Sequence, residues 1–387
     1  MKIRTTTMFV VLVVFVAMLS FSSCENVSNI IEHSKSQGDD SGEHLAIGVV
    51  LPLTGRHMFD FGEPVQQGLE LALNEINDGQ LAGTHLTFVV ADSGSTVEGA
   101  VAAYNKLIHE DGVSVLLGPA TSSMTKEAFP VAQENQVVAI SPTSAARDLS
   151  AIGDYVFRIA LTTDKLIPNG IAATHAKLAY QNVATLYDED DAFSRDGDAA
   201  VQEALAELNV NVLITEKFKS GDTDFTEQLT RIKALNPDAI FLSSLSQEKP
   251  PVLIQAQELG ITAQFIIRTF TENNVAASGD AAEGAITFVG WGKAVDTQIN
   301  QEFIKNYSDA YGINPNNYVA RAYTALHVLA EGIRNAASHA PKDIRDALAQ
   351  VSDFETVFGA FSFDEVGDAV YEPKILIVKN GKLELFE

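Results

Sequence analysis

From Leu45 onward the chain alternates two hydrophobic rhythms. Leu45–Leu51 is a continuous apolar run, the mark of a strand buried on both faces. Val65, Leu69, Leu73 and Ile76 then recur three or four residues apart, which predicts one apolar face of a helix over 62–77. The same exchange repeats: strand 86–91, helix 96–110, strand 113–117, helix 122–134, strand 137–140. After Arg158 it restarts, with helices over 166–179, 193–208, 225–235 and 251–259. The strands of this second set fall at 183–187, 210–218, 239–242 and 264–267. A further strand, 285–289, leads into helices at 297–311, 319–335 and 341–350, and the tail at 358–363 and 374–379 is strand-like. Two successive runs of βα units predict an α/β fold of two Rossmann-like lobes, each with a parallel central sheet. The late helices predict a return of the chain to the first lobe before a final crossing, hence a hinge of three segments.

The first residues follow a different pattern. Lys2 and Arg4 precede an unbroken apolar run, Met8–Leu19, which is shorter than the about 20 residues a spanning helix needs. This predicts a secretion signal over 1–23. Phe21-Ser22-Ser23-Cys24 resembles a lipoprotein cleavage site with Cys24 as the acylated residue; an ordinary signal peptide with an incidental cysteine is the alternative. Residues 24–44 are polar and read as a flexible tether, spanning roughly 25 Å root-mean-square. The expected organisation is lobe 1 from 45–160 plus 290–359 and lobe 2 from 161–289 plus 360–387. Hinges are expected near 160–161, 287–288 and 359–360.

Composition narrows the chemistry. The 387 residues carry 51 acidic and 26 basic side chains, a formal charge of -25 that offers no basic footprint for nucleic acid. One cysteine allows no intramolecular disulfide and no cysteine-based zinc site. No GxSxG, HExxH, GxxxxGK[ST] or GxGxxG motif occurs, the eight histidines are scattered, and no cofactor or metal is expected. The acidic run Asp188–Asp191 follows a strand end and reads as a surface loop rather than a cation site.

Two polar loops stand out. Leu116-Leu117-Gly118-Pro119-Ala120-Thr121-Ser122-Ser123 ends a strand and opens a helix with hydroxyls, and Ser141-Pro142-Thr143-Ser144-Ala145 follows the next strand. A helix start has unpaired N–H groups and a positive dipole end, suited to a carboxylate. Simple N-capping is the alternative. Two such loops at adjacent strand ends face one crevice, where open α/β sheets bind ligands.

The order of "IGVVLPLTG", "GLELALNEIN", "LLGPATSSMT", "AISPTSAARDLS", "VATLYDEDDAFSRDG", "DTDFTEQLTRIKALNPDAIFL", "AQELGITAQFI" and "GDAAEGA" resembles the type I periplasmic-binding-protein family, in its leucine/isoleucine/valine-binding branch. That resemblance covers nearly all of 45–387. It implies two lobes closing on a small ligand in a water-filled gap, and delivery to an ABC permease by a monomer held outside the cytoplasm on its lipid. It further implies an aromatic wall from Phe61, a carboxylate site at Ser122 and Ser123, and contacts from Thr143 and Ala145. From the second lobe it implies an aromatic lid, Phe193, and pocket contacts from Ser246 and Thr269; Arg268 departs from the branch's pattern and reads as a cation suited to a second carboxylate, a surface cation facing away from the cleft being the alternative. Where amino-acid binders of the branch carry a hydroxyl and an acid to grip an α-ammonium, this chain has Ala145 and Ile267-Arg268-Thr269-Phe270, with Glu272 the nearest acid. The expected ligand is therefore a carboxylate without a free α-amine, or a dicarboxylate. A sensory receptor of the same fold remains the first alternative and an extracytoplasmic enzyme the second.

Overall fold

The computed structural model describes residues 43–387 apart from positions 80 and 82. The expected signal peptide, Cys24 and the tether lie outside the described residues, save Glu43 and His44, which open the first strand. Among the described residues no helix is long and apolar enough to cross a membrane.

The first sheet takes β1 (Glu43–Leu51), β2 (Thr84–Asp92), β3 (Val115–Leu117), β4 (Val138–Ser141) and β5 (Val156–Arg158) in the order β2-β1-β3-β4-β5, all parallel. Between them lie α1 (Glu63–Asp78), α2 (Val97–His109) and α3 (Ser122–Glu134), each carrying its apolar stripe onto the sheet. A single π turn, Met58–Gly62, precedes α1 and was not foreseen from the periodicity; nor was β5.

The second lobe contains α4 (Thr163–Leu178), β6 (Asn182–Asp188), α5 (Ala192–Glu207), β7 (Asn211–Phe218), α6 (Thr226–Leu235), β8 (Ala239–Ser243) and α7 (Lys249–Glu258). Next come β9 (Gln264–Arg268), α8 (Glu272–Ser278) and β10 (Ile286–Val289). Its parallel strands run β7-β6-β8-β9-β10, the same topological order as the first sheet. In both sheets order reverses at one point, beside β1/β3 and beside β6/β8, and the loops leaving those strands define the crevice.

After β10 the chain crosses back. α9 (Gln298–Tyr311), α10 (Asn317–Asn335) and α11 (Pro341–Leu348) follow, with α10 laid along α1. Gly68 of α1 makes that approach possible, since a Cβ there would stand 2.5 Å from the Val319 carbonyl oxygen. The tail forms a small antiparallel sheet from β11 (Phe354–Thr356), β12 (Gly359–Phe363) and β13 (Ala369–Val370). It then adds β14 (Lys374–Lys379) and β15 (Lys382–Leu385) antiparallel to the edge of the larger sheet. The connections between the two large sheets therefore run through 159–162, 290–297 and 371–373. The second lies two residues and the third eleven residues beyond the expected hinges, because Thr287 and Phe288 are inside β10 and Gly359 starts β12 of the small tail sheet.

Candidate functional site

The strand-end loops of both sheets meet in one interlobe cavity lined by Phe61, Ala120, Thr121, Ser122, Thr143, Phe193, Leu245, Thr269, Tyr318 and Arg321. Its volume is about 10 Å³, room for about one water molecule. The expected water-filled gap is thus drawn nearly shut. Polar bonds across the lobes account for this. Ser123 Oγ donates to Asp191 Oδ1 at 2.9 Å and accepts from the Ala192 N–H at 3.0 Å. Arg147 binds Asp196 at 2.7 Å and Glu203 at 2.7 Å, and Arg56 pairs with Glu248.

The lobe 1 wall is built on α3. Thr121 caps it, accepting from the Met124 N–H at 3.4 Å, so the helix opens at Ser122 with its unpaired N–H groups at the cavity. Ser122 Oγ accepts from the Ala145 and Ala146 N–H groups at 3.2 Å each. Its own proton has no acceptor among the described residues, which leaves one donor for a ligand oxygen. Thr143 donates its hydroxyl proton to the Ala120 carbonyl, so it presents only an acceptor. Ser141, Ser144 and Thr125 complete a buried hydroxyl chain beneath. Gly118 shapes the turn before α3: its φ is +106°, and a Cβ would stand 2.2 Å from the Val50 carbonyl oxygen.

The lobe 2 wall comes from the loops after β6, β8 and β9. Phe193 lies in the first turn of α5, under the Asp191 cap. The Arg268 guanidinium stacks on its ring at 3.7 Å. Arg268 also donates to the Phe193 carbonyl at 2.9 Å, to Thr163 Oγ1 at 2.6 Å and to the Ala145 carbonyl at 3.2 Å. Gly197 gives it room, since a Cβ there would come within 2.7 Å of its guanidinium nitrogen. Thr269 holds φ +53°, a region that a β-branched residue seldom enters. The Lys249 ammonium, fully buried, fixes it by donating to its carbonyl at 2.7 Å.

Of the residues singled out in the sequence, Phe61, Ser122, Thr143, Phe193 and Thr269 line the cavity. Ser123 bonds across the lobes beside it. The Ala145 carbonyl is already taken by Thr163 and Arg268. Ser246 meets the Tyr318 hydroxyl at 3.3 Å, with Leu245 at the wall in its place. Arg268 lies behind Phe193. Glu272 sits in α8 near Lys293, away from the cavity wall. Trp291 is buried against Asn300 and Phe303 of α9. Three wall residues went unrecognised: Leu245, next to the expected Ser246, and Tyr318 and Arg321 of α10. Tyr318 stacks near Phe61, ring centres 4.6 Å apart. Arg321 is 1% exposed. A signal for it existed: an arginine inside a helix apolar nearly all round, a place where charge is rarely kept without a task.

Burial, with neighbouring cations adding to it, pulls Lys249 down to about 7; Glu248 and Asp60 oppose this. Burial likewise lowers Arg268 to about 9, which leaves it charged at neutral pH. Arg321 is the one charged side chain among the cavity's wall residues, and no acidic side chain is among them.

Comparison with known proteins accords with this architecture. The family described as periplasmic binding protein matches residues 44–379. The chain belongs to the periplasmic binding protein family. Leu/Ile/Val-binding protein homolog 1 of Brucella suis is 27% identical, covering 86% of this chain and 89% of that one. The leucine binding protein LivK of Thermotoga maritima superposes with a TM-score of 0.84 at 25% identity, over 89% of this chain and 98% of that one. A solute binding protein of R. palustris, solved with benzoate, superposes at 0.82 with 22% identity, over 89% and 95%. The last likeness is one of fold. As a periplasmic binding protein the chain carries two sheets with switch-point loops and three connections between them.

Proposed function

We propose that this protein is an extracytoplasmic receptor that closes its two lobes on a small acid lacking a free α-amine and delivers it to an ABC permease. The observation that carries this reading is the cavity wall itself. It offers a helix N-terminus, the Ser122 proton and Arg321 to an anion, while no Asp or Glu lines it for an ammonium. A buried ammonium left without an acceptor costs about 1–3 kcal/mol, or roughly ten- to a hundredfold in affinity. Relatives named for leucine, isoleucine and valine binding support the receptor role, and the benzoate complex supports an amine-free acid as cargo for this fold. Binding begins on the lobe 1 wall around Ser122 and Thr143. Closure then brings Phe193 and Thr269 over the ligand and makes the cross-lobe bonds of Ser123, Arg147 and Arg56. Cys24 carries the lipid, and the protein works as a monomer.

Calorimetric titration with leucine, its 2-oxo analogue and benzoate tests the ligand class. The 2-oxo acid or benzoate is expected to bind at least tenfold tighter than leucine. Tight leucine binding with indifference to the other two would sink the amine-free reading. Labelled palmitate should enter the wild-type chain and not Cys24→Ser.

A further inference from the structure

Three buried cations cluster here, Lys249 and Arg268 behind the cavity wall and Arg321 in it, 0%, 3% and 1% exposed. None has a carboxylate within 4.0 Å among the described residues. The acids nearest to them are engaged elsewhere. Glu248 pairs with Arg56, Asp196 with Arg147, Asp191 with Ser123 and Ser194, and Asp60 is held by Gln247. Lys249 and Arg268 at least find acceptors in protein oxygens. Arg321 is held by less. It lines the cavity, its hydrogen-bonding neighbour is the Tyr371 hydroxyl, the Tyr318 ring lies 6.0 Å away, and its Nε, like that of Arg268, has no partner.

The same face of α10 repeats the pattern. Asn317, Arg321 and Thr324 recur one turn apart, all buried, and all carry side-chain atoms without a hydrogen-bond partner. The opposite face, with Val319, Ala322 and Tyr323, is the one that packs on Gly68 of α1. A buried cation without a counter-charge is costly to hold, and a row of unpartnered polar groups beside it adds to that cost. A fold keeps such a group where an outside anion completes it.

Resting on the receptor reading above, we infer that the ligand carries two anionic groups, one held at Ser122 and the α3 N-terminus and the second by Arg321. A small dicarboxylate has that chemistry. Its far carboxylate accepts two parallel bonds from the planar guanidinium. Its near carboxylate takes the Ser122 proton and the first-turn N–H groups. The cavity as it stands holds about one water, so the lobes must part to admit this ligand, with Phe61, Phe193 and Tyr318 around its carbon chain.

The test is calorimetry and thermal melting of the full chain with succinate and glutarate against butyrate and pentanoate of matched length, and leucine. One of the dicarboxylates is expected to bind at least tenfold tighter than its matched monocarboxylate. In Arg321→Met that margin should vanish, and Arg321→Lys should keep part of it. Without ligand, Arg321→Met should melt at or above the wild type, because an unpaired buried charge has been removed. The inference is overturned, with the receptor reading intact, if a monocarboxylate or leucine binds as tightly as the better of the two dicarboxylates. An unchanged margin in Arg321→Met, or a lower melting temperature of that variant, overturns it equally, since either marks Arg321 as structural. If no member of the panel binds, both readings fall.

Discussion

Arg158 and Arg321 are both fully buried, at 0% and 1% exposure, yet their surroundings are opposite. Arg158, at the end of β5, bridges the first connection to the small tail sheet. It pairs with Asp368 at 2.6 Å, binds Ser150 at 2.9 Å and reaches the Ala146 carbonyl. Arg321 faces the cleft with no acid beside it. The first region is a completed structural joint; the second is an incomplete site. The lesson is that burial of a charge does not reveal its role, whereas the state of its partners does. The hydroxyl wall around Ser122 lies between these extremes, since most of its bonding capacity is used within lobe 1 and one proton is left over.

Breaking the joint should have the largest effect. Arg158→Met leaves Asp368 buried and unpaired, and is expected to lower stability in urea unfolding by about 3–5 kcal/mol. A loss under 1 kcal/mol would erase the contrast with Arg321. Lys249 sharpens the comparison through pH. Its folded-state value, about 7, lies below that of an unfolded lysine, about 10.4. The unfolded chain therefore holds the extra proton between those values, so this group's penalty is full below pH 7 and fades as pH rises toward 10. Lys249→Met is expected to exceed the wild type at pH 6 by on the order of 1–4 kcal/mol, with the advantage shrinking on the alkaline side. A difference that stays flat from pH 6 to 9 would contradict a depressed lysine.

Ser122→Ala comes next. It strands the Ala145 and Ala146 N–H groups, and is expected to cost about 1–2 kcal/mol in stability and a similar amount in ligand affinity. If stability falls while the dissociation constant holds, Ser122 only supports the 143–146 loop. The smallest effect belongs to the cleft rim. Arg147 is 28% exposed and pairs with Asp196 and with the exposed Glu203. Arg147→Gln should change stability by no more than about 1 kcal/mol, most of it lost at high salt. Small-angle scattering should show a more open chain for this variant, and an unchanged profile would remove the pair from closure.

Much of this was legible beforehand. α3 begins at Ser122 and ends at Glu134, where the reading placed it, and β14 spans Lys374–Lys379 as expected. Local rules suffice there, because apolar periodicity and a hydroxyl cap act within a few residues. The short strands β5, β11 and β13 escaped notice, being two or three residues long and defined by their partners. Arg268 was singled out by its place in a loop, but its hidden position behind Phe193 depends on Gly197, seventy-one residues earlier in the chain. Arg321 was passed over because α10 joins the cleft only after the chain has crossed between the lobes and back.

What the sequence determined by itself was the alternation of strand and helix, the two successive βα sets and the hydroxyl-rich strand ends, all of which follow from side-chain polarity within one or two turns. Only the tertiary structure decided which charges meet an opposite charge. Pairing is a property of distances between segments far apart in the chain, and whether a buried arginine stabilises the fold or awaits an anion depends on those distances alone.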